Sequence, residues 1–252
     1  MRSVLFTKPK SIASAMLRHM VESGDEVAAV VLHGVSGYAD TPLVKYARAH
    51  AVPVVDFADC DGFFGRLSVG ALDAIWCCTF PKLVRDGWVN RAKVAVNFHG
   101  APLPDYRGVF AYNFAILNGD AEFGVTAHLM SGSFDTGDIV ETDRFPYDCA
   151  NGSVAELVAL SEERMLTLFK RVRGRLERDG RLEVAPQDLS LGCYYSRDDF
   201  EAAKRIPANA SAEEVERRIR AFWYPPYEGA YVEVGGERFY PITRRILNGI
   251  GR

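Results

Sequence analysis

The chain has 252 residues, with 30 Lys and Arg against 33 Asp and Glu, a formal charge of −3. A domain held on nucleic acid by phosphate neutralisation carries a marked basic excess, so non-specific nucleic-acid binding is excluded as the main role. With 48% hydrophobic residues and no apolar run near the ~20 residues that span a bilayer, the composition is that of a water-soluble globule without a membrane partner.

Residues 4–6 read as a buried strand. Ser11 is placed to cap a helix in which Ile12, Met16, His19 and Met20 recur at helical spacing until Gly24. Residues 27–32 form a second strand, and a helix over 42–50, started by Thr41 and Pro42, leads into the apolar run 52–55. Runs 73–77 and 94–98 continue the series. Continuous apolar runs separated by helices indicate a parallel sheet covered on both faces, with ligands at the carboxyl ends of its strands. Next come the alternating stretch 124–130, a strand over 139–145, and a helix over 153–174 with Leu157, Leu160, Met165, Leu168, Phe169 and Val172 on one face. Its Arg- and Lys-rich side, 170–181, reads as a solvated face. From Pro186 the texture changes to a helix over 212–221, the aromatic run 222–227, and a hairpin over 231–240 that turns at Gly235 and Gly236.

These elements give an α/β fold: a mostly parallel sheet flanked by helices over 1–185, with a small C-terminal appendage of a helix and a hairpin over 186–252. Cys60, Cys77, Cys78, Cys149 and Cys193 show no C-x-x-C spacing and read as reduced packing residues. No signal peptide is visible, so the expected compartment is the cytoplasm.

Dinucleotide, P-loop, zincin and nucleophile-elbow signatures are missing. Instead, a polar cluster follows the run 94–98: Asn97 and His99, then Pro102-Leu103-Pro104-Asp105-Tyr106-Arg107-Gly108. Alternate strand residues share a face, so Asn97 and His99 point into one crevice. An amide N–H can hold a developing oxyanion, and an imidazole exchanges a proton near neutral pH, a pairing suited to attack on a carbonyl. A second cluster, Asp135-Thr136-Gly137-Asp138-Ile139, supplies a carboxylate that can orient His99 or take up a proton through water. Each has a plainer reading, as a structural histidine and as a turn. His99, His128 and Asp135 also make up a two-histidine, one-carboxylate metal triad as an alternative.

Taken in order, Asn97-Phe98-His99, Leu103 to Gly108 and Asp135 to Ile139, with Ile116 to Asp120 and Gly124 to His128 between them, resemble the folate-dependent formyltransferase family. The motifs cover 73–145, and the architecture the first 180 residues. This resemblance implies a Rossmann-like fold, N10-formyltetrahydrofolate as co-substrate, a primary amine as acceptor, and no metal. By the same resemblance the catalytic triad is Asn97, His99 and Asp135, with either His99 or Asp135 as the base. The pterin would lie between the loop of Phe80, Pro81 and Leu83 and the loop of Asp135, Thr136, Gly137 and Asp138. Many members carry Ser-Leu-Leu-Pro after the histidine; Ala101-Pro102-Leu103-Pro104 here resembles the branch acting on nucleotide-linked amino sugars.

Within the family, methionyl-tRNA, glycinamide ribonucleotide and a nucleotide-linked amino sugar compete as acceptor. The tRNA enzymes add a basic β-barrel domain, whereas residues 186–252 hold ten Lys and Arg against ten Asp and Glu. The glycine-rich phosphate loop of the purine enzymes is replaced by Thr7-Lys8-Pro9-Lys10-Ser11. The expectation is therefore a sugar N-formyltransferase of surface-polysaccharide (lipopolysaccharide) synthesis. Trp223, Tyr224 and Tyr227 would face the nucleobase; Lys8, Lys10, Tyr106 and Arg107 would meet the rest of the sugar nucleotide. Alternatively the aromatic run packs the appendage or makes a dimer contact, and the hairpin edge pairs two copies as a homodimer. The alternative of another class is a folate- or nucleotide-binding module without turnover.

Overall fold

Val4, Leu5 and Phe6 are all fully buried because β1 (Arg2–Thr7) runs through the middle of a sheet covered on both sides. Leu5 enters one apolar cluster, and Val4 and Phe6 enter the other, as the alternation of a strand requires. The computed structural model describes residues 1–249. After β1 come α1 (Ser11–Glu22), β2 (Glu26–Leu32), α2 (Pro42–Ala49), β3 (Val54–Asp56), α3 (Cys60–Gly65), β4 (Leu72–Cys78), α4 (Asp86–Val89) and β5 (Ala92–His99). Then follow β6 (Tyr106–Gly108), α5 (Ala111–Asn118), β7 (Glu122–Leu129), β8 (Ile139–Pro146) and α6 (Val154–Asp179). The remainder is β9 (Cys193–Tyr195), α7 (Arg197–Lys204), α8 (Ala212–Phe222), the hairpin β10 (Val232–Val234) and β11 (Glu237–Phe239), and α9 (Arg244–Gly249).

The seven-stranded sheet has the order β3-β2-β1-β4-β5-β7-β8. It is parallel from β3 to β5, after which β7 and β8 turn back antiparallel. The α/β class and the mostly parallel sheet are thus as the sequence indicates. Phe6, Phe64 and Trp88 stack on one face, while Trp76, Phe98 and Phe169 pack edge-on or tilted beneath α6 on the other.

Several details depart from the sequence reading. Ser11 is the first residue of α1 rather than its cap; Lys10 takes the cap position, and the Ser11 hydroxyl donates to the Glu162 carboxylate. Helix α6 opens with a reciprocal Ser153–Glu156 capping box and continues past Gly174 to Asp179, because nothing at Gly174 interrupts its hydrogen bonds. Its basic side is only partly solvated. Arg171 and Arg175 both bind Glu141 of β8, and Arg173, 3% exposed, is buried against Asp25. The Glu141 pairs tie the helix to the antiparallel edge of the sheet, and the Asp25 pair ties it to the turn before β2.

Residues after 186 pack into the same core rather than forming another: Ile206, Ala221, Phe222 and Ala230 join the cluster of α1, α5 and α6. Asn113 Nδ2 of α5 donates to Ala221 O at 2.7 Å, and Arg220 donates to the carbonyls of Cys149 and Ala150. All five cysteines are free, and four are buried. Among the described residues no helix is long and apolar enough to cross a membrane.

Candidate active site

β5 ends in the two polar residues that matter, and its pairing with β7 supplies a third. The antiparallel register sets His128 directly opposite Asn97 and Thr126 opposite His99. Asn97 Nδ2 lies 3.0 Å from His128 Nε2, while His128 Nδ1 lies 2.8 Å from Leu129 O. A carbonyl only accepts, so the proton is on Nδ1, and Nε2 accepts one N–H of the Asn97 amide. The orientation of that amide is thereby fixed, with its second Nδ2 hydrogen left for the pocket.

His99 is fixed by the same logic. Its Nε2 lies 2.9 Å from Tyr106 O and donates to it, leaving Nδ1 facing Asp135 Oδ1 at 3.4 Å. Gly108 N–H donates to Asp135 Oδ2 at 3.2 Å. Gly108 itself has φ +88, and a Cβ there would meet Tyr195 O at 2.3 Å, so only glycine lets β6 lie against β9 and present that N–H. Burial lowers the basicity of His99, and His128 adds to this; Asp135 and the Tyr106 carbonyl oppose it without overcoming it, so His99 titrates below its ordinary 6.5. Burial pushes the Asp135 carboxyl up, but His99, His128 and the Gly108 N–H outweigh it and hold the carboxyl below its ordinary range. At neutral pH the pair is accordingly a neutral imidazole beside a carboxylate. A proton arriving between Nδ1 and Oδ1 converts an unprotonated contact into a hydrogen bond, so the arrangement has the capacity to accept a proton.

Asn97, His99, His128 and Asp135 line one end of a cavity of about 480 Å³. Phe80, Pro81, Leu83, Val84, Met130 and Phe134 make an apolar wall, and Lys8 and Arg197 stand on the lip. Burial pushes the Lys8 ammonium below its ordinary value, and the neighbouring cations Lys10 and Arg197 add to this. Thr79, Phe110 and Asp135, three non-glycine residues with positive φ, all border this cavity. Such backbone costs about 1–3 kcal/mol per residue and persists where the surroundings impose it.

Of the residues singled out in the sequence, the structure brings Asn97, His99, Asp135, Phe80, Pro81, Leu83 and Lys8 together on the cavity. Thr136, Gly137 and Asp138 instead build the loop behind Asp135: Thr136 Oγ1 bonds the Ser131 hydroxyl, Gly137 packs on Leu129 O, and Asp138 O accepts from Leu129 N. Tyr106 is buried with its hydroxyl on Asp120, and it serves His99 through its main-chain carbonyl. Arg107 reaches Leu191 O. Lys10 lies near Lys8 without lining the cavity. Trp223, Tyr224 and Tyr227 lie outside the lining; the Tyr224 and Tyr227 rings are parallel, 6.0 Å apart, with Tyr227 67% exposed. His99, His128 and Asp135 do converge, as the metal alternative needs. The Nε2 lone pair of His128 is nevertheless spent on Asn97, and no group spaced for a metal ion occurs among the described residues.

Three contributors were not legible beforehand: Arg197, Gln187, whose Nε2 donates to Asp135 O at 3.0 Å, and Tyr112, on the cavity wall. Gln187 and Arg197 arrive from more than 50 residues beyond Asp135, and no local pattern marks them.

A sequence profile described as formyl transferase matches residues 65–162. A methionyl-tRNA formyltransferase of Lactobacillus johnsonii is 31% identical over 252 residues, covering 95% of this chain and 77% of the relative. A 4-N formyltransferase from Francisella tularensis superposes with a TM-score of 0.79 at 19% identity, over 96% of both chains. An N-formyltransferase from Helicobacter canadensis, solved with folinic acid and dTDP-3-aminofucose, gives 0.74 at 22% identity, over 95% of this chain and 86% of that one. By the identity and coverage of the Lactobacillus johnsonii relative, with the profile that spans Asn97, His99 and Asp135, the chain belongs to the formyl transferase family.

Proposed function

We propose that this formyltransferase moves a formyl group from N10-formyltetrahydrofolate to the primary amine of a nucleotide-linked amino sugar. The observation that carries the choice of acceptor is that the exposed cations Lys8 and Arg197 line the same cavity as Asn97, His99 and Asp135. Clustered cations at a pocket mouth suit a compact anion such as a diphosphate. Arg197 would make the 186–252 segment part of the acceptor site, with 1–185 holding the donor and the triad. The even charge balance of that segment, ten against ten, gives a transfer RNA little to hold.

The donor fits the residues present: an apolar wall of Phe80, Leu83, Val84 and Phe134 suits a flat ring system, and polar groups meet it at one end. Bound there, it supplies an already activated carbonyl. Asn97 directs its free amide N–H at the carbonyl oxygen as negative charge builds. The His99–Asp135 pair takes up the proton that the acceptor nitrogen loses as it bonds the formyl carbon, and returns it, directly or by one water, to N10 as the formyl–N10 bond breaks and tetrahydrofolate leaves.

The experiment is transfer from N10-formyltetrahydrofolate to a panel of UDP-, dTDP- and GDP-linked amino sugars beside methionyl-tRNA, read by mass spectrometry. A formamido sugar is expected. Formylmethionyl-tRNA as the sole product would establish the tRNA reading, and folate binding without any product would establish a binding module.

A further inference from the structure

Asp135 is held from a side that the triad geometry alone does not reveal. Its backbone has φ 56, in the left-handed region that few non-glycine residues occupy. Gly108 N–H and His99 meet its carboxylate, and Gln187 Nε2–H meets its main-chain carbonyl at 3.0 Å. Gln187 Oε1 is buried without a partner among the described residues, so the bond to Asp135 is what orients the carboxamide.

Gln187 lies in a strap, residues 185–195, beyond the stretch that the family profile covers. The strap grips both loops of the site. Ala185 exchanges both backbone hydrogen bonds with Ile139, each at 2.8 Å, and β9 runs alongside β6, whose Tyr106 carbonyl holds His99. Removing the Gln187 carboxamide therefore leaves the strap seated and takes away one bond.

We propose that Gln187 is a positioning residue, whose hydrogen bond to the Asp135 carbonyl keeps the Asp135 carboxylate against His99 Nδ1. Without it the Asp135 backbone is free to relax toward the right-handed region, carrying Oδ1 off the imidazole. The inference rests on the proposed transfer reaction only for its kinetic readout.

Gln187→Met keeps the length and loses the donor. The groups facing His99 are Asp135, His128 and the Tyr106 carbonyl, and of these it is the Asp135 charge that moves away. NMR titration of the His99 ring in the free protein should show its midpoint displaced downward, in the same direction as in Asp135→Asn and by less. With donor and acceptor, kcat should fall about 10-fold with the acceptor KM unchanged, because only the base is misplaced. Gln187→Asn, which withdraws the donor by one methylene, should give an intermediate displacement and covers the case in which the Met variant fails to fold. A wild-type His99 titration and kcat in a folded Gln187 variant overturn the proposal, as does a rise in KM alone. If the unaltered protein transfers no formyl group, the NMR comparison still decides the positioning role, and only the reaction falls.

Discussion

Gly137→Ala tests how tightly the Asp135 loop is packed against β7. A Cβ on Gly137 would sit 1.8 Å from Leu129 O and 2.8 Å from its carbonyl carbon. Both are backbone atoms, so no side chain can step aside. Reaching an ordinary 3.4 Å contact requires the loop and strand to part by about 1.6 Å. Leu129 is the residue they share: its carbonyl accepts from His128 Nδ1, and its N–H donates to Asp138 O, each at 2.8 Å. Losing both bonds costs about 2 kcal/mol, which in a domain of this size lowers Tm by about 4–8 °C. The effect on chemistry is larger in relative terms, since His128 orients Asn97 and the displaced loop carries Asp135. A misplacement of about 1 Å costs about 100-fold, or about 2.7 kcal/mol of barrier. Calorimetric melting and steady-state transfer assays measure the two effects side by side. A variant with unchanged Tm and with activity within about threefold of the parent would refute the packing argument.

Lys8→Ala and Arg197→Ala should each raise the KM for the nucleotide-linked acceptor about 10-fold or more while leaving the KM for the folate donor unchanged, measured by varying each substrate in turn. Arg173→Ala removes one of the two cations on a fully buried Asp25 carboxylate, leaving the Met1 ammonium at 3.0 Å, and should destabilise the fold by about 1–3 kcal/mol in urea unfolding. His99 binds a proton less readily folded than its ordinary 6.5, so between 6.5 and its lower folded value the unfolded chain holds more protons. Stability then rises with pH across that window and is lost as pH falls through it, with a slope of at most about 1.4 kcal/mol per pH unit from this residue. Unfolding midpoints from pH 4 to 7 should show a shallower slope in His99→Asn; His19 and carboxyls held low, Asp56 and Asp73 among them, leave a residual slope.

The parallel half of the sheet was readable because β1, β2, β4 and β5 are buried on both faces and appear as unbroken apolar runs. α5 was not, because a helix that is buried all round shows no amphipathic period. The end of α6 was misread at Gly174, a residue that a long helix tolerates at a cost of about 1 kcal/mol. In the site, motif order identified Asn97, His99 and Asp135, yet their orientation depends on what lies across from them. His128 meets Asn97 only through the antiparallel register of β5 with β7, and His99 is aligned by the backbone of Tyr106 rather than by a side chain. Gln187 and Arg197 reach the site through a strap stapled to β6 and Ile139, a tertiary arrangement with no local signature. The aromatic residues Trp223 to Tyr227 drew notice by composition, but they lie beside the cavity lining rather than in it.

The central claim is that Asn97, His99 and Asp135 act as one device for formyl transfer to an amine. Single-turnover transfer of a 13C-labelled formyl group from N10-formyltetrahydrofolate, followed by NMR in the parent protein and in Asn97→Ala, His99→Asn and Asp135→Asn, tests it most directly. The account predicts a labelled formamide on the amino sugar with the parent protein. Each variant should be slower by about 100-fold or more while still binding the folate. Transfer at the parental rate in any one of the three would contradict it.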